Sequence, residues 1–116
     1  MSNEHITLSE RAEVIRRYKS RANQEGAAAW SAVPCSTDIK MHVPKFGIEA
    51  VGAAEIDEKV FGLMASSGIH QDLLEIRELG QYVTCFLAVT DGADTWDTVE
   101  VFLFDDDNRV SEIWAL

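Results

Sequence analysis

Hydrophobic residues recur at helical spacing in the first part of the chain and alternate with a period of two in the last part. The recurring positions near the N-terminus are Leu8, Ala12, Ile15, Tyr18 and Ala22. This spacing predicts an amphipathic helix over 8–22, with Thr7 and Glu10 as a capping box at its start. The basic side chains of the segment are expected mostly off this apolar stripe: Arg11, Arg16, Arg17 and Lys19.

The next segment predicts a short helix followed by a short strand. An alanine run ending in a tryptophan over 27–30 is typical of a helix that Asn23 caps and Pro34 closes. Weak alternation over 39–43 predicts a strand, and Pro44 ends it because proline cannot donate to a β-ladder.

The remaining segments complete an α+β order. A loop is expected over 45–52, and helical spacing of apolar residues predicts a third helix over 53–67 that Gly68 stops. Four strands are then expected, joined by hairpin-length turns, over 69–79, 82–90, 96–104 and 109–115. Because the helices come mostly first and the strands mostly last, the sequence predicts an α+β fold with an antiparallel meander.

The two central strands are apolar on both faces. In the strand over 82–90, one face carries Tyr82, Thr84, Phe86 and Ala88, and the other carries Val83, Cys85, Leu87 and Val89. Three helices can cover only one face, and soluble monomers rarely leave the other exposed. We therefore expect a homodimer through the outer face of the sheet, with a tightly curled sheet as the alternative.

Composition narrows the function classes. The 116 residues are expected to form one domain, 1–116, with a formal net charge of −10 that disfavours nucleic-acid partners. No apolar run approaches the roughly 20 residues of a membrane span, and the N-terminus lacks the pattern of a signal peptide. The two cysteines lack metal-site spacing, so free thiols and a cytoplasmic location are expected.

The element order resembles the cone-shaped fold shared by nuclear transport factor 2 (NTF2), ketosteroid isomerase and SnoaL-like polyketide cyclases. The resemblance covers nearly the whole chain and rests on four local matches: Ile15-Arg16-Arg17-Tyr18, Met41-His42-Val43-Pro44, the segment 47–52, and Val99-Glu100-Val101-Phe102-Leu103-Phe104 with the acidic turn and final strand that follow. It implies three N-terminal helices packed on a curved, mainly antiparallel sheet. Since this fold hosts enzymes and non-enzymes, the resemblance does not fix an activity.

The resemblance to the isomerase branch implies a catalytic triple. Tyr18 falls where that branch has a tyrosine that donates to an oxyanion, and Glu100 falls where it has a protonated acid. The position of the proton-transferring aspartate holds His42, or Val43 if one gap is allowed. A histidine can serve as a base near neutral pH, so His42 is the third catalytic candidate.

Each catalytic candidate also has a structural interpretation. Glu100 shares a strand face with Phe102 and Phe104, and it either lines a pocket or meets Arg109, Arg77 or water at the sheet edge. The sequence does not decide whether His42 faces the pocket or the outside, because a bulge at Pro44 would reverse which side chains of the strand point inwards. Tyr18 is either an oxyanion donor or an ordinary core tyrosine.

Aromatic residues supply the expected ligand-binding walls, and the sequence shows no metal or cofactor motif. The candidate walls are Trp30, Phe46, Phe86 and Phe102. The acidic run 105–107 lacks the spacing of a calcium loop and is interpreted as a solvated turn. No zinc cluster or glycine-rich phosphate loop is present in the sequence.

Three functions follow from these patterns. The first is a cofactor-free isomerase, cyclase or dehydratase that moves protons on a small, apolar, oxygenated molecule. The second is a small-molecule-binding module without turnover, and the third is a dimerising module that packs on a larger partner. The sequence leaves open whether the chain is an enzyme; three polar groups converging in one apolar cavity would favour the first.

Overall fold

The structure is a computed structural model that describes residues 9–116. The helices are α1 (Glu10–Glu25), α2 (Ala27–Trp30), α3 (Ala53–Ile56) and α4 (Gly62–Ser67), with a 3₁₀ turn at Pro44–Phe46 and a π-helical turn at Asp57–Phe61. The strands are β1 (Cys35–Val43), β2 (Ile48–Val51), β3 (His70–Leu79), β4 (Tyr82–Thr90), β5 (Thr95–Phe104) and β6 (Val110–Ala115). Within these residues, no helix has the length and apolar character needed to cross a bilayer.

The six strands form one mixed sheet in the order β2-β1-β6-β5-β4-β3. Every neighbouring pair is antiparallel except β1 and β6, which run parallel. Register shifts interrupt the ladders in β1, β3 and at the β5–β6 pair, and such bulges bend and twist a sheet. The predicted α+β class and mainly antiparallel sheet are confirmed.

Helix α1 begins and ends later than the sequence pattern predicts. Its N-cap is Ser9, whose hydroxyl accepts a hydrogen bond from the backbone N–H of Ala12. Thr7 and Leu8, on which the predicted start depends, lie outside the described residues. Asn23 lies inside α1 and does not cap the second helix; Gly26, with a φ of 52°, separates α1 from α2 instead.

The prediction of a loop over 45–52 is wrong, because this segment contains strand β2. The 3₁₀ turn after β1 ends at Gly47 in the left-handed region, which reverses the chain and lays β2 antiparallel to β1. The segment Ile48–Val51 is only four residues long and carries no aromatic residue, so it gives a weak strand signal. Strand β1 also begins four residues earlier than predicted, at Cys35.

The third helical segment is interrupted by a π-helical turn. Helix α3 passes into the π turn at Asp57–Phe61 and then into α4, and Gly68 closes α4 in the left-handed region. Short π turns inside helices are frequent at functional sites. This one carries the buried Val60 and Phe61 towards the sheet.

The core lies between the helices and one face of the sheet, which we call the inner face. Its largest fully buried side chains are Phe102, Phe104, Ile15, Ile39, Ile56, Leu87 and Ile113. Helix α1 packs against β3 and β4, and α3 packs against β1 and β2. On the opposite, outer face, Phe86, Val99, Val101, Leu103 and Trp114 remain partly exposed.

Candidate functional site

A cavity of about 60 Å³ lies between the inner face of the sheet and the third helical segment. Most of its wall is aliphatic or aromatic, formed by Met41, Val43, Phe46, Ile48, Val60, Leu63, Met64, Ile69, Leu87, Val89, Trp96, Ala115 and Leu116. Its polar lining consists of Lys45, Gln71, Thr98 and Glu100. A mostly apolar lining with a few polar groups is the usual composition of a small-molecule site.

Glu100 forms a buried ion pair with Lys19 of helix α1. Glu100 Oε1 contacts Lys19 Nζ, and the two side chains are 8% and 2% exposed. Oε1 has no hydrogen-bond partner among residues 9–116, so its contact with Lys19 is an ion pair. A carboxylate is tolerable in an apolar interior only with such a counter-charge.

Lys19 remains protonated in this interior. Burial alone would lower the pKa of Lys19, but the charge of Glu100, with smaller contributions from Tyr18 and Cys85, raises it above its usual value. The Nζ atom also lies 5.0 Å from the centre of the Tyr18 ring and 5.9 Å from that of Phe102, where ring faces attract cations. The site therefore contains a fixed positive charge directly behind a carboxylate.

Gln71 connects the ion pair to strand β3. Lys19 Nζ donates to Gln71 Oε1 over 2.8 Å, so the amide NH₂ of Gln71 is left as a donor. One turn further along α1, Asn23 binds the Gln71 backbone: its Oδ1 accepts from the N–H over 2.8 Å and its Nδ2 donates to the C=O over 2.6 Å. Lys19 and Asn23 together fix Gln71 at the cavity wall.

The mouth of the cavity carries a cation and two aromatic rings. Lys45 and Phe46 come from the 3₁₀ turn, and Trp96 comes from the start of β5. Lys45 Nζ lies 4.5 Å from the centre of the Trp96 ring. Phe46 is 43% exposed, so part of this apolar surface faces solvent.

Comparisons with solved structures identify the architecture around this cavity. No protein-family model and no curated protein sequence matches the chain. An NTF2-like protein of unknown function from Burkholderia pseudomallei matches with a TM-score of 0.78 at 14% identity, covering 94% of this chain and 91% of that chain. A candidate polyketide cyclase from Sinorhizobium meliloti matches with a TM-score of 0.75 at 13% identity, covering 90% and 94%.

A third solved structure with a similar fold is described as a candidate isomerase. A candidate ketosteroid isomerase from Kribbella flavida matches with a TM-score of 0.72 at 14% identity, covering 90% of this chain and 75% of that chain. The chain has the NTF2-like fold. At these identities the likeness establishes the fold alone, which agrees with the resemblance seen in the sequence.

Within this NTF2-like cone, Tyr18 and Glu100 lie close together but Tyr18 does not line the cavity. Both residues, with Trp30 and Phe102, border a separate void of only about 10 Å³. The Tyr18 and Trp30 rings pack edge to face with centroids 5.1 Å apart. Burial raises the pKa of Tyr18, and Glu100 raises it further against the opposing charge of Lys19.

His42 lies on the outer face of the NTF2-like sheet, away from Glu100. Its neighbours Met41 and Val43 point inwards and line the cavity, so His42 points outwards. Its Nδ1 lies 2.5 Å from Glu49 Oε1, its Nε2 lies 2.6 Å from Glu112 Oε2, and its ring stacks on Trp114 with centroids 5.8 Å apart. The structure thus does not bring the three catalytic candidates together.

The four residues expected to form the pocket wall lie in three different places. Phe46 lines the cavity mouth, whereas Trp30 and Phe102 are buried around the 10 Å³ void. Phe86 lies on the outer face, where the Arg77 guanidinium stacks 5.6 Å from its ring centre. The expectation that Phe86 lines the pocket is corrected, because the inward side chains of β4 are those of Val83, Cys85, Leu87 and Val89.

Sequence reasoning missed Lys19 and Gln71. Lys19 lies four residues after Ile15 and three before Ala22, so helical spacing places it on the buried stripe. This spacing is a usable signal, and the expectation that the basic residues lie mostly off the stripe does not hold for Lys19. Nothing in the sequence marks Gln71, because its role depends on a partner 52 positions away.

The carboxylate of Asp105 closes the acidic turn after β5. Asp105 Oδ1 accepts hydrogen bonds from the backbone N–H groups of Asp107 and Arg109. The Asp105 carboxylate is therefore hydrogen-bonded to the backbone of its own turn. Among residues 9–116, no group of three or more histidine, cysteine or acidic side chains is arranged to hold a metal ion.

Proposed function

We propose that the chain is a cofactor-independent enzyme that moves a proton on a small, mostly apolar, oxygenated molecule bound in the 60 Å³ cavity. The observation that carries the proposal is a single carboxylate, Glu100, in the wall of a mostly apolar cavity, with Lys19 as its buried counter-charge. The descriptions of two structural neighbours, a candidate polyketide cyclase and a candidate ketosteroid isomerase, support the same reaction class.

The proposed reaction begins with proton removal by Glu100. Its Oε1 contacts Lys19, so Oε2 accepts a proton from a carbon next to the substrate carbonyl. The electron pair left on that carbon moves onto the carbonyl oxygen. In a substrate with a carbon–carbon double bond next to that carbon, this double bond shifts into conjugation with the carbonyl as the carbonyl re-forms. Glu100 returns the proton to the far carbon of the former double bond, which gives an isomer without a net change in protons.

Gln71 is the proposed donor to the developing oxyanion. Its Oε1 is occupied by Lys19, so its NH₂ group is available to a substrate oxygen in the cavity. A donor fixed before the reaction stabilises developing charge without reorganisation. Lys19 is a positioning residue in this scheme, because it touches Glu100 and Gln71 rather than the cavity.

Hydrogen–deuterium exchange of a cyclic ketone in D₂O tests this proposal. NMR should show that the wild type accelerates exchange at the carbons next to the carbonyl. Glu100→Gln should reduce the rate by about 10²–10⁴-fold, the usual contribution of a general base. Glu75→Gln, on the exposed part of β3, is the matched control and should retain the full rate.

The outcomes separate an enzyme from a binding module. Equal exchange rates for the wild type and Glu100→Gln would contradict the catalytic role of Glu100. If the ketone still raises the unfolding temperature of both proteins, the chain is a binding module without turnover.

We also propose that the outer face of the sheet pairs with the same face of a second copy. Its centre carries Phe86, Val99, Val101, Leu103 and Trp114, and Tyr82 beside it is 43% exposed. Soluble monomers rarely keep such a contiguous apolar surface. Sedimentation should give a dimer for the wild type and a monomer for Val101→Glu, whereas a monomeric wild type at micromolar concentration would contradict the proposal.

A further inference from the structure

The cavity lining has one charge at its wall and a second, opposite charge at its mouth. The carboxylate of Glu100 is neutralised by Lys19, but Lys45 at the mouth takes part in none of the ion pairs formed within residues 9–116. Its ammonium group is held over the Trp96 ring instead. The mouth therefore presents a positive charge beside an aromatic face.

The acidic loop next to the mouth leaves this charge available. Backbone N–H bonds from Asp94 and Ala93 are the main causes that lower the pKa of Asp91, and the charge of Lys45 is a smaller one. Asp91 Oδ1 accepts those two bonds over 2.8 and 3.0 Å. The Asp91 carboxylate is thus engaged by its own turn, and it forms no ion pair with Lys45.

The size of the cavity forces a larger ligand to contact this mouth. A volume of about 60 Å³ is well below the roughly 300–1,000 Å³ of pockets that enclose larger ligands. A molecule with one ring would therefore place part of its body in the cavity and the rest between Phe46, Trp96 and Lys45. An anionic oxygen on that outer part would meet the Lys45 ammonium.

We propose that Lys45 is a specificity-determining residue that selects ligands carrying an anionic oxygen, such as a carboxylate, on an apolar ring. The inference rests on the proposed function of the cavity and names its ligand class. Hydrogen bonds between two charged groups are stronger than neutral ones, and the Trp96 face limits the conformations of Lys45 before binding. The ring enters the apolar cavity and the anionic oxygen stays at the mouth.

Benzoate and benzamide are the probes, because they share a ring and differ in charge. Isothermal titration should show that the wild type binds benzoate about tenfold more tightly than benzamide, the effect of one charge-assisted hydrogen bond near solvent. Lys45→Met, which keeps the aliphatic stem, should lose this preference through weaker benzoate binding alone. Lys45→Arg should restore it.

Lys40→Met is the matched control. Lys40 is an exposed lysine of β1 on the outer face, so its loss changes the net charge equally without touching the mouth. The preference for benzoate should survive in this variant. If Lys40→Met abolished the preference as fully as Lys45→Met, the effect would come from net charge and the inference would be overturned.

The remaining outcomes distinguish this inference from the proposed function. Equal binding of both probes by the wild type, or a preference that persists in Lys45→Met, overturns the role of Lys45 while the cavity stays a binding site. If neither probe binds the wild type, the role of Lys45 is overturned, whereas the ketone exchange by itself decides the proposed function. Loss of ketone exchange in Glu100→Gln with the benzoate preference intact supports both, since the two readouts depend on different ends of the cavity.

Discussion

Lys19 of helix α1 and Glu100 of strand β5 form an ion pair inside the cone, with side chains that are 2% and 8% exposed. Each residue compensates the other's charge in a region that is otherwise apolar. The pair also links the helix layer to the middle of the sheet, because Glu100 faces Cys85 of β4 across the ladder. Removing one partner should therefore affect stability far more than removing both.

The Lys19→Met variant tests this coupling. It leaves Glu100 buried without a counter-charge and should lower the free energy of unfolding by about 3–5 kcal/mol. The double variant Lys19→Met/Glu100→Leu should recover most of that loss, because it replaces both charges with apolar groups. Denaturant titration measures both, and a single-variant loss below about 1 kcal/mol would show that water reaches the carboxylate.

The His42 cluster predicts a pH-dependent stability. Hydrogen bonds with Glu112 and then Glu49 raise the pKa of His42 above its usual value of 6.5. A raised folded-state pKa means that the stabilisation is fully present below the unfolded value and is lost as pH rises through the folded one. The stability difference between the wild type and His42→Gln should thus be larger at pH 5.5 than at alkaline pH.

NMR titration of the His42 ring checks the cause of this effect. The midpoint should lie above 6.5 in the wild type, and both Glu112→Gln and Glu49→Gln should lower it, Glu112→Gln by more. A midpoint at or below 6.5 in the wild type would contradict the arrangement of two carboxylates around the ring.

Two glycines should respond in opposite directions to alanine. Gly26 joins α1 to α2 with φ 52° and ψ −121°, a conformation that residues with a Cβ rarely adopt. Gly26→Ala should cost about 1–3 kcal/mol. Gly62 opens α4 with helical angles and open space around its Cβ position, so Gly62→Ala should add about 0.5–1 kcal/mol. If denaturant titration showed that Gly26→Ala and Gly62→Ala change the free energy of unfolding in the same direction, the positive-φ conformation of Gly26 would be contradicted.

Asn23 should protect the free edge of the sheet. It satisfies both outward backbone groups of Gln71 on the edge strand β3, as a neighbouring strand would. Asn23→Ala should speed amide exchange at Gln71 and lower stability by about 1 kcal/mol. Gln24 is an exposed neighbour of Asn23 in α1, so Gln24→Ala is the control. If the Gln71 amide exchanged equally fast in both variants, Asn23 would not protect the edge.

The C-terminal strands could be predicted within one residue at either end, because alternation and turn residues mark them independently. The Asp91-Gly92 turn fixes the β4–β5 hairpin, and the polar turn after Phe104 separates β5 from β6. Strand β2 lacked both signals. Its pairing with β1 depends on the left-handed Gly47, which the sequence marks only as a loop glycine.

The site was harder to predict because its contacts are non-local. Both faces of β4 are apolar, so alternation could not decide whether Phe86 or Cys85 faces the helices. The hairpin register pairs Cys85 with Glu100, and combining it with the burial of Glu100 would have placed Phe86 outside. Lys19 is grouped with the arginines that are expected mostly off the apolar stripe, although its spacing is that of a buried position.

The parallel pairing of β1 with β6 governs when the sheet can be completed during synthesis on a ribosome. Strand β6 is the last to emerge, yet it lies inside the sheet between β1 and β5. Until it is made, the nascent chain holds a β1–β2 hairpin and a β3–β4–β5 meander with no ladder between them. Both would expose open edges, so we expect this domain to be most prone to aggregation and chaperone capture in the interval before β6 leaves the ribosome.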